Sequence, residues 1–500
     1  MYYFLIGLVG IKNRFLICIC LMKKLIFDHI NSNYVLLLLL VAMSAIDILY
    51  DDVIIAIFDL LDDKNKLILS TVSKKFYNLL HLVTFRELVD YHSIKNLSYY
   101  DRFKQVSYVI QSFDINIMEG INNLFIDDDI GYIDYPNEII PPGITHLIFS
   151  DDFNYSIDNF IPEGVTDITF GKNFNRDIKN SLPKSVKRII FGDSFNQSID
   201  NAIPYGIKQI IFGEDFDKPI QNAIPDTVEY LRFGRCFDQS IENVIPANIK
   251  YLYFGYYFNQ PLVYSSNDGI KSTLPDGLLS LTFDQYFNQP IIGAIPDSVI
   301  YLKFGNNFDQ SIQQAIPPNL KHLYFGKYFN QSIDGAISDT IEHLKFGECF
   351  NQPITGVMSS NLINLKFGDH FNQSISGIIP DNVQILTFGY YFNQPIQDAI
   401  PKNIKTITFG NNFNQPIKNA IPNGATHLKF GKEFNQTLVK SLPPSVTNIE
   451  LGFKFSQSMK DVVPKNIINI KMYEHFYNSN KKYIHKNFKI ELLKKGFLVL

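Results

Sequence analysis

The sequence predicts a mainly β repeat solenoid preceded by a small α-helical domain, and three observations support this prediction. The segment "FGDSFNQSIDNAIPYGIKQII" at 191–211 is followed directly by the similar "FGEDFDKPIQNAIPDTVEYLR". Sixteen such rungs begin at intervals of 21 residues between 149 and 472, with one longer step of 29 residues from Phe254 to Phe283. Within each rung, apolar residues alternate with the period of a strand that has one buried face.

Each rung follows the pattern V-x-x-L-x-F-G-x-x-F-N-Q-x-I-x-x-x-I-P-x-x. The L-x-F part predicts a short strand, and the Asn or Asp after the second Phe favours a turn because its side chain can bond to nearby backbone. Proline excludes a helix at the end of the rung. We therefore expect one strand, one turn and an extended return per rung. A single rung cannot bury its apolar face, whereas stacked rungs bury a continuous core.

Two columns of side chains are predicted to hold the rungs together. The phenylalanines should form an interior spine, since each ring buries a large apolar area. The Asn column should form a ladder of hydrogen bonds between neighbouring rungs, and Asp217, Asp238 and Asp309 fit because they keep the acceptor oxygen. The eight-residue insertion within 263–273 follows a strand and its turn, so we expect it to bulge from the convex side.

The recurring "FNQSIDNAIP" resembles the FNIP repeat, a relative of the leucine-rich repeat that occurs in amoebae and in large viruses infecting them. The resemblance covers residues 144–478 and implies a leucine-rich-repeat-like solenoid there. Ser338 and Ser359 stand where proline is usual, and the rung at Leu451 reads "FSQSM".

A helical region precedes the array. In "DILYDDVIIAIFDLLDDKNKLILSTVSKKFYNLL" at 47–80, apolar residues recur at helical spacing on both sides of "DDKN", which we interpret as a turn. Residues 46–88 resemble an F-box, and we assign the domain to 43–90. Tyr50 stands where the family usually has proline. The residues that match the family's positions are Leu49, Val53, Ile57, Phe58, Leu61 and Phe76.

The F-box resemblance implies that these six residues bind a Skp-type adaptor of a cullin–RING ubiquitin ligase. A different interpretation treats the helices only as a cap for the solenoid.

Two further segments border the array. Residues 91–143 are interpreted as a linker and N-terminal cap, with a degenerate first rung around Phe125. The basic residues 479–500 are interpreted as a cap that covers the last strand edge.

Residues 1–42 are strongly apolar, and we expect the native protein to start at Met43. The run "YVLLLLLVAM" is too short to span a bilayer, although a membrane anchor and a secretory signal remain alternatives.

The four cysteines are scattered along the sequence and form neither a disulfide framework nor a zinc motif, which fits a reducing compartment. We therefore expect a cytoplasmic protein, in the host cytoplasm for a viral one, without a membrane partner.

Composition and motifs argue against several function classes. The net charge of -4, from 45 basic and 49 acidic residues, argues against general nucleic-acid binding, which needs a basic field. The sequence has no P-loop, dinucleotide fingerprint, zinc-protease motif or nucleophile elbow. We expect no catalytic residue, metal or cofactor. His322 and His343 lie on adjacent rungs and should nearly touch, and we favour exposed strand histidines over a metal pair.

Two functions of different class fit these features. The first is a non-catalytic substrate-recognition subunit of an SCF-type ubiquitin ligase, and the alternative is a structural or scaffolding interaction protein without a ligase role. Residues one and three before the first Phe should point outward on the concave face, where Tyr and Arg concentrate binding energy. The preference of Tyr for strands is the simpler explanation of the same pattern. The predicted target-binding residues on the middle rungs are Tyr230, Arg232, Tyr251, Tyr253, Tyr301 and Tyr324.

Overall fold

The computed structural model describes residues 54–55, 58–59, 61–71, 74–110, 140–141, 143–267, 269–356, 358–460, 467–484 and 488–494. These residues form two compact units. The first comprises the described residues up to 110 and those from 140 to 148, and the second comprises the described residues from 149 to 494. Met43, Leu49, Val53, Ile57 and Phe125 lie outside the described residues, as does the segment 1–42, so the expectations for them stay predictions.

The first unit contains short helices and parallel strands. Its elements are α1 (Asp63–Ser70), α2 (Lys74–Leu79), β1 (Phe85–Asp90), α3 (Tyr91–Ile94), β2 (Phe103–Ile110) and β3 (His146–Phe149), with single 3-10 turns at Leu80–Leu82 and Tyr100–Arg102. Strand β2 pairs in parallel with β1 and also pairs with β3. The sequence analysis predicted neither β1 nor β2, because their buried positions do not alternate regularly.

The interpretation of "DDKN" as a turn was wrong, because these residues begin a helix. The carboxylate of Asp62 accepts a hydrogen bond of 2.8 Å from the backbone N–H of Asn65, which makes Asp62 the N-cap of α1. Aspartate is favoured at both turns and N-caps, since its side chain satisfies a free backbone donor in each.

A buried ion pair joins α1 to the residues around β1. Lys66 Nζ donates to Asp63 at 2.7 Å and to the Thr84 carbonyl oxygen at 2.8 Å. The other carboxylate oxygen of Asp63 accepts from the backbone N–H groups of Arg86 and Glu87. Burial alone would raise the pKa of Asp63, but the hydrogen bonds from Lys66 and the two N–H groups hold it below its ordinary value.

The second unit is a stack of rungs built on one parallel sheet. Its sheet strands are β4 (Asp167–Thr169), β5 (Arg188–Ile190), β6 (Gln209–Ile211), β7 (Tyr230–Arg232), β8 (Tyr251–Tyr253), β11 (Ser280–Thr282), β12 (Tyr301–Lys303), β13 (His322–Tyr324), β14 (His343–Lys345), β15 (Asn364–Lys366), β16 (Ile385–Thr387), β17 (Thr406–Thr408), β18 (His427–Lys429), β19 (Asn448–Glu450), β20 (Asn469–Tyr473) and β21 (Lys489–Leu493). The rungs stack without offset, as Leu231 opposite Leu252 shows. The predicted leucine-rich-repeat-like solenoid is confirmed.

The insertion forms a hairpin of its own. Strands β9 (Val263–Ser266) and β10 (Gly269–Ser272) pair antiparallel and lie outside the parallel sheet. Its Ile270 is 73% exposed, so the hairpin adds little to the core.

The phenylalanine spine is confirmed. The two Phe rings of one rung stack closely, with 3.8 Å between the ring centroids of Phe233 and Phe237. Rings of the same column stack on the next rung, with 6.1 Å between Phe216 and Phe237. Phe237 is completely buried, so the spine fills the interior along the array.

The Asn ladder is confirmed as well. The side-chain oxygen of Asn393 accepts a 2.9 Å hydrogen bond from the backbone N–H of Asn414 on the next rung. Asp238 does the same for Asn259 at 2.8 Å. The sequence analysis missed the role of the following Gln: Gln415 Nε2 donates to the carbonyl and side-chain oxygens of Asn393.

Within the tail, strand β21 covers the edge of β20. Helix α4 (Glu474–Asn480), a 3-10 turn at Lys481–Tyr483 and β21 follow β20, and β21 pairs with β20 in parallel register. A paired strand removes the free N–H and C=O groups that invite aggregation.

Candidate target-binding face and adaptor-binding helices

The predicted target-binding residues lie on the side of the sheet opposite the phenylalanine spine. Leu252 is completely buried, whereas Tyr251 before it is 41% exposed and Tyr253 after it is half-buried. Strands β7, β12 and β13 show the same alternation. We call the set Tyr230, Arg232, Tyr251, Tyr253, Tyr301 and Tyr324 the tyrosine face.

The tyrosines of this face form two pairs on neighbouring strands. Ring centroids are 5.3 Å apart for Tyr230 and Tyr253, and 5.4 Å apart for Tyr301 and Tyr324. Burial raises the pKa of Tyr230, Tyr301 and Tyr324, so these phenols are neutral donors at physiological pH. Rigid rings with a polar tip suit a binding surface.

A notch separates the two pairs. Strand β11 lies between β8 and β12 and carries small side chains, with Ser280 opposite both Tyr251 and Tyr301. Ser280 is 8% exposed, and the buried Oγ1 of Thr282 has no hydrogen-bond partner among the described residues. Because these side chains are smaller than the tyrosines on both sides, they leave room for a ligand side chain between the two pairs.

The two neighbouring histidines meet as predicted. The rings of His322 and His343 stack nearly parallel with 4.6 Å between their centroids. Burial lowers the pKa of His322, and the charge of His343 lowers it further. In the described part of the chain, no group of three or more His, Cys, Asp or Glu side chains can hold a metal ion.

The sequence analysis missed an aromatic cluster at the edge of the sheet. The guanidinium of Arg235 lies 4.6 Å from the ring centroid of Tyr256 and 5.5 Å from that of Tyr257. Tyr286 stacks on Tyr257 at 5.4 Å. These residues sit two and three positions after the first Phe, in columns that are otherwise mostly polar, and that contrast was the available signal.

The helices of the first unit bury two of the predicted adaptor-binding residues. Phe58 and Phe76 are almost completely buried, and their rings meet edge to face at 6.0 Å. Leu61 is half-buried. The structure also exposes apolar side chains that sequence reasoning did not select, namely Leu67, Ile68, Tyr77 and Leu82.

Comparison with known families identifies both parts of the chain. Eleven overlapping or adjoining matches to the FNIP repeat together cover residues 136–475. The chain belongs to the FNIP repeat family. In this FNIP repeat protein, residues 46–88 also match the F-box domain. An F-box joined to a repeat array is typical of non-enzymatic adaptor proteins with a protein-binding repeat region.

Two similar proteins support these assignments. A protein of Acanthamoeba polyphaga mimivirus that is named for an F-box is 28% identical over 111 residues, which is 22% of this chain and 32% of that protein. The crystal structure of CroV588, described as a circular LRR protein, is 31% identical, with a TM-score of 0.63. That match covers 79% of this chain and 63% of CroV588. No helix among the described residues has the length and apolarity needed to cross a membrane.

Proposed function

We propose that this FNIP repeat protein is the non-catalytic substrate-recognition subunit of an SCF-type ubiquitin ligase in the cytoplasm. The F-box binds a Skp-type adaptor and thereby the cullin, and the solenoid binds a protein target. The observation that carries the proposal is the presence of an F-box match and an FNIP array in one chain. The ligase transfers ubiquitin, and this chain contributes by holding the target close to it.

The proposed target site is the tyrosine face. Strands β7, β8, β12 and β13 present its six residues on one side of the sheet, with β11 between β8 and β12, and none of the six belongs to the phenylalanine spine. Removing a tyrosine there should therefore affect binding more than folding.

The proposed adaptor site begins with the six residues that match the F-box pattern. Because Phe58 and Phe76 are buried against each other, we assign them the role of holding the helices in shape for docking. We add the exposed Leu67, Ile68 and Tyr77 to the docking surface, since apolar side chains in contact with water gain free energy when a partner covers them.

Affinity capture tests the proposal. The full chain should recover a Skp-type adaptor and a cullin in mass spectrometry, and a chain without residues 43–90 should lose both while keeping its target. If the full chain recovers neither ligase subunit, the proposal is rejected in favour of a scaffolding repeat protein.

The docking mode has its own test at Ile57. Ile57→Asp places a charge in a desolvated interface and should weaken adaptor binding by about 3–5 kcal/mol. Ile57→Leu is the conservative control and should bind nearly as well as the wild type. Unchanged adaptor binding by a folded Ile57→Asp variant contradicts this docking mode.

The target site is tested by a pair of double variants. Tyr251→Ala with Tyr253→Ala should weaken target capture, while adaptor binding and melting temperature stay nearly unchanged. Thr387 and Thr408 occupy the column of Tyr253 on outer rungs, and the double variant Thr387→Ala with Thr408→Ala should have little effect on target capture. Equal loss from both pairs, or loss from neither, means that the tyrosines are ordinary strand residues.

A further inference from the structure

The middle of the open sheet face carries cations without carboxylate partners. Arg232, Lys303, Lys345 and Lys366 all occupy the position directly before the first Phe, and all four are exposed. Among the described residues, no carboxylate oxygen lies within 4.0 Å of any of them. Arg232 shares β7 with Tyr230, and Lys303 shares β12 with Tyr301, so the cations and the rings form one surface.

Several lysines elsewhere on the array are paired with acids on adjacent rungs. Glu229 binds Lys208 at 2.7 Å and Lys250 at 2.8 Å, and these hydrogen bonds lower the pKa of the glutamate to about 2. Lys321 is similarly paired with Glu342 at 2.8 Å.

The same column is also neutralised toward the end of the array, where Lys429 lies 3.0 Å from Glu450. Within this column and among the described residues, the cations without a carboxylate partner are thus confined to the middle rungs, where the tyrosine face lies.

Two of these cations face each other directly. Lys345 and Lys366 are register partners on the adjacent strands β14 and β15. Like charges opposite one another in a sheet destabilise it, and here no acid compensates. An anionic group between the two ammonium groups would remove that repulsion, so the position favours a negatively charged ligand.

We propose that the target presents an extended acidic segment to this surface, with carboxylates against the unpaired cations and an aromatic side chain in the notch at Ser280 and Thr282. This inference rests on the proposed function, because it names the chemistry of the target. Seven strands from Arg232 to Lys366 span about 29 Å at a strand spacing of about 4.8 Å. An extended peptide of about nine residues has that length.

A polypeptide fits this surface better than a nucleic acid does. Among the described residues, four cations without a carboxylate partner lie in this column, on a chain whose net charge is -4, whereas nucleic-acid binding needs a denser basic field. The tyrosine pairs and the small notch offer a carboxylate-bearing chain both ionic and apolar contacts.

Fluorescence anisotropy with the full-length protein tests the inference. The probe is a labelled peptide of alternating glutamate and tyrosine, compared with an alternating glutamine–tyrosine peptide and with an oligothymidylate. The glutamate peptide should bind at least about tenfold more tightly than the glutamine peptide at low salt, and the difference should shrink as salt screens the charges. Equal binding of both peptides, absence of binding, or tighter binding of the oligothymidylate overturns the proposal.

Matched double variants locate the binding site. Lys345→Gln with Lys366→Gln should weaken the glutamate peptide about tenfold, whereas Lys208→Gln with Lys321→Gln makes the same change in net charge and should alter binding less than about twofold. The first pair should also leave the melting temperature unchanged or raise it, because it removes a repulsion. Equal weakening by both pairs means that net charge alone attracts the peptide and contradicts the proposed site.

Adaptor capture on the same preparations separates the two proposals. Loss of adaptor capture with intact peptide binding rejects only the ligase role. Intact adaptor capture with no glutamate-dependent peptide binding rejects only the acidic-target inference.

Discussion

Replacing Gly326 by alanine tests how closely the rungs stack. A methyl group on Gly326 would overlap the carbonyl group of Gly305 on the preceding rung and lie 2.6 Å from the Cα atom of Asn306. These atoms are backbone, so they cannot move aside as a flexible side chain can. The two rungs must separate, and the rung-to-rung hydrogen bonds nearest the overlap are lost.

The size of the effect follows from those hydrogen bonds. The Phe304 N–H donates to the Tyr324 carbonyl oxygen at 2.9 Å, and the Tyr328 N–H donates to the Asn306 carbonyl oxygen at 2.9 Å. Each of these two bonds costs about 1–3 kcal/mol when it is lost, so Gly326→Ala should lower the free energy of unfolding by about 2–6 kcal/mol.

Urea denaturation followed by circular dichroism measures this loss. Gly356→Ala is the matched control, because a methyl group there has no atom within 4 Å and the backbone does not adopt a positive φ. The control should change stability by less than about 1 kcal/mol. A Gly326→Ala protein as stable as the Gly356→Ala protein would show that the glycine column is not required for stacking.

Two further predictions concern the ladder and the histidine pair. Asn393→Ala removes the acceptor of the Asn414 N–H and should lower the free energy of unfolding by about 1–3 kcal/mol in thermal denaturation. Asn393→Asp should lower it less, because Asp238 already accepts the equivalent hydrogen bond on another rung. Equal losses of stability in the two variants refute the ladder. Burial and His343 lower the pKa of His322, so the unfolded chain binds a proton more readily than the folded protein below about pH 6.5. The free energy of unfolding should therefore fall as the pH drops below that value. His322→Gln should make this fall less steep when stability is measured by urea denaturation at several pH values. An equally steep fall in the variant contradicts the role of His322.

The sequence predicted the repeat array well because its signals are local. A strand with Leu231 and Phe233 facing inward follows from alternation within three residues. The 21-residue period then places identical positions beside each other, so the spine and the Asn ladder needed no further information. The same logic placed the tyrosines on one face, while their role in binding stays a prediction.

The first unit was harder to predict because its contacts are distant in sequence. Lys66 and Asp63 depend on Thr84, Arg86 and Glu87, which lie 18 to 24 residues further along the chain. The residue types in "DDKN" do not show whether Asp63 is buried in an ion pair or exposed in a turn. The helix start at Asp62 was equally ambiguous.

The finer features of the candidate site also escaped the sequence. The notch exists because β11 pairs with β8 across the 29-residue step, which brings Ser280 opposite Tyr251. The 21-residue period does distinguish the two kinds of lysine, because it places Glu450 beside Lys429 but Lys345 and Thr387 beside Lys366. The sequence analysis overlooked this signal, and the structure adds that Lys429 and Glu450 come within 3.0 Å.

Precipitation of the Skp-type adaptor from cells that express the full chain is the most direct test of the central claim, that one molecule holds adaptor and target together. The account predicts that the target recovered with the wild-type chain appears in this precipitate and disappears from it with Ile57→Asp. The same target should still bind the Ile57→Asp chain when the chain itself is precipitated. An adaptor precipitate that contains neither the chain nor its target would contradict the claim.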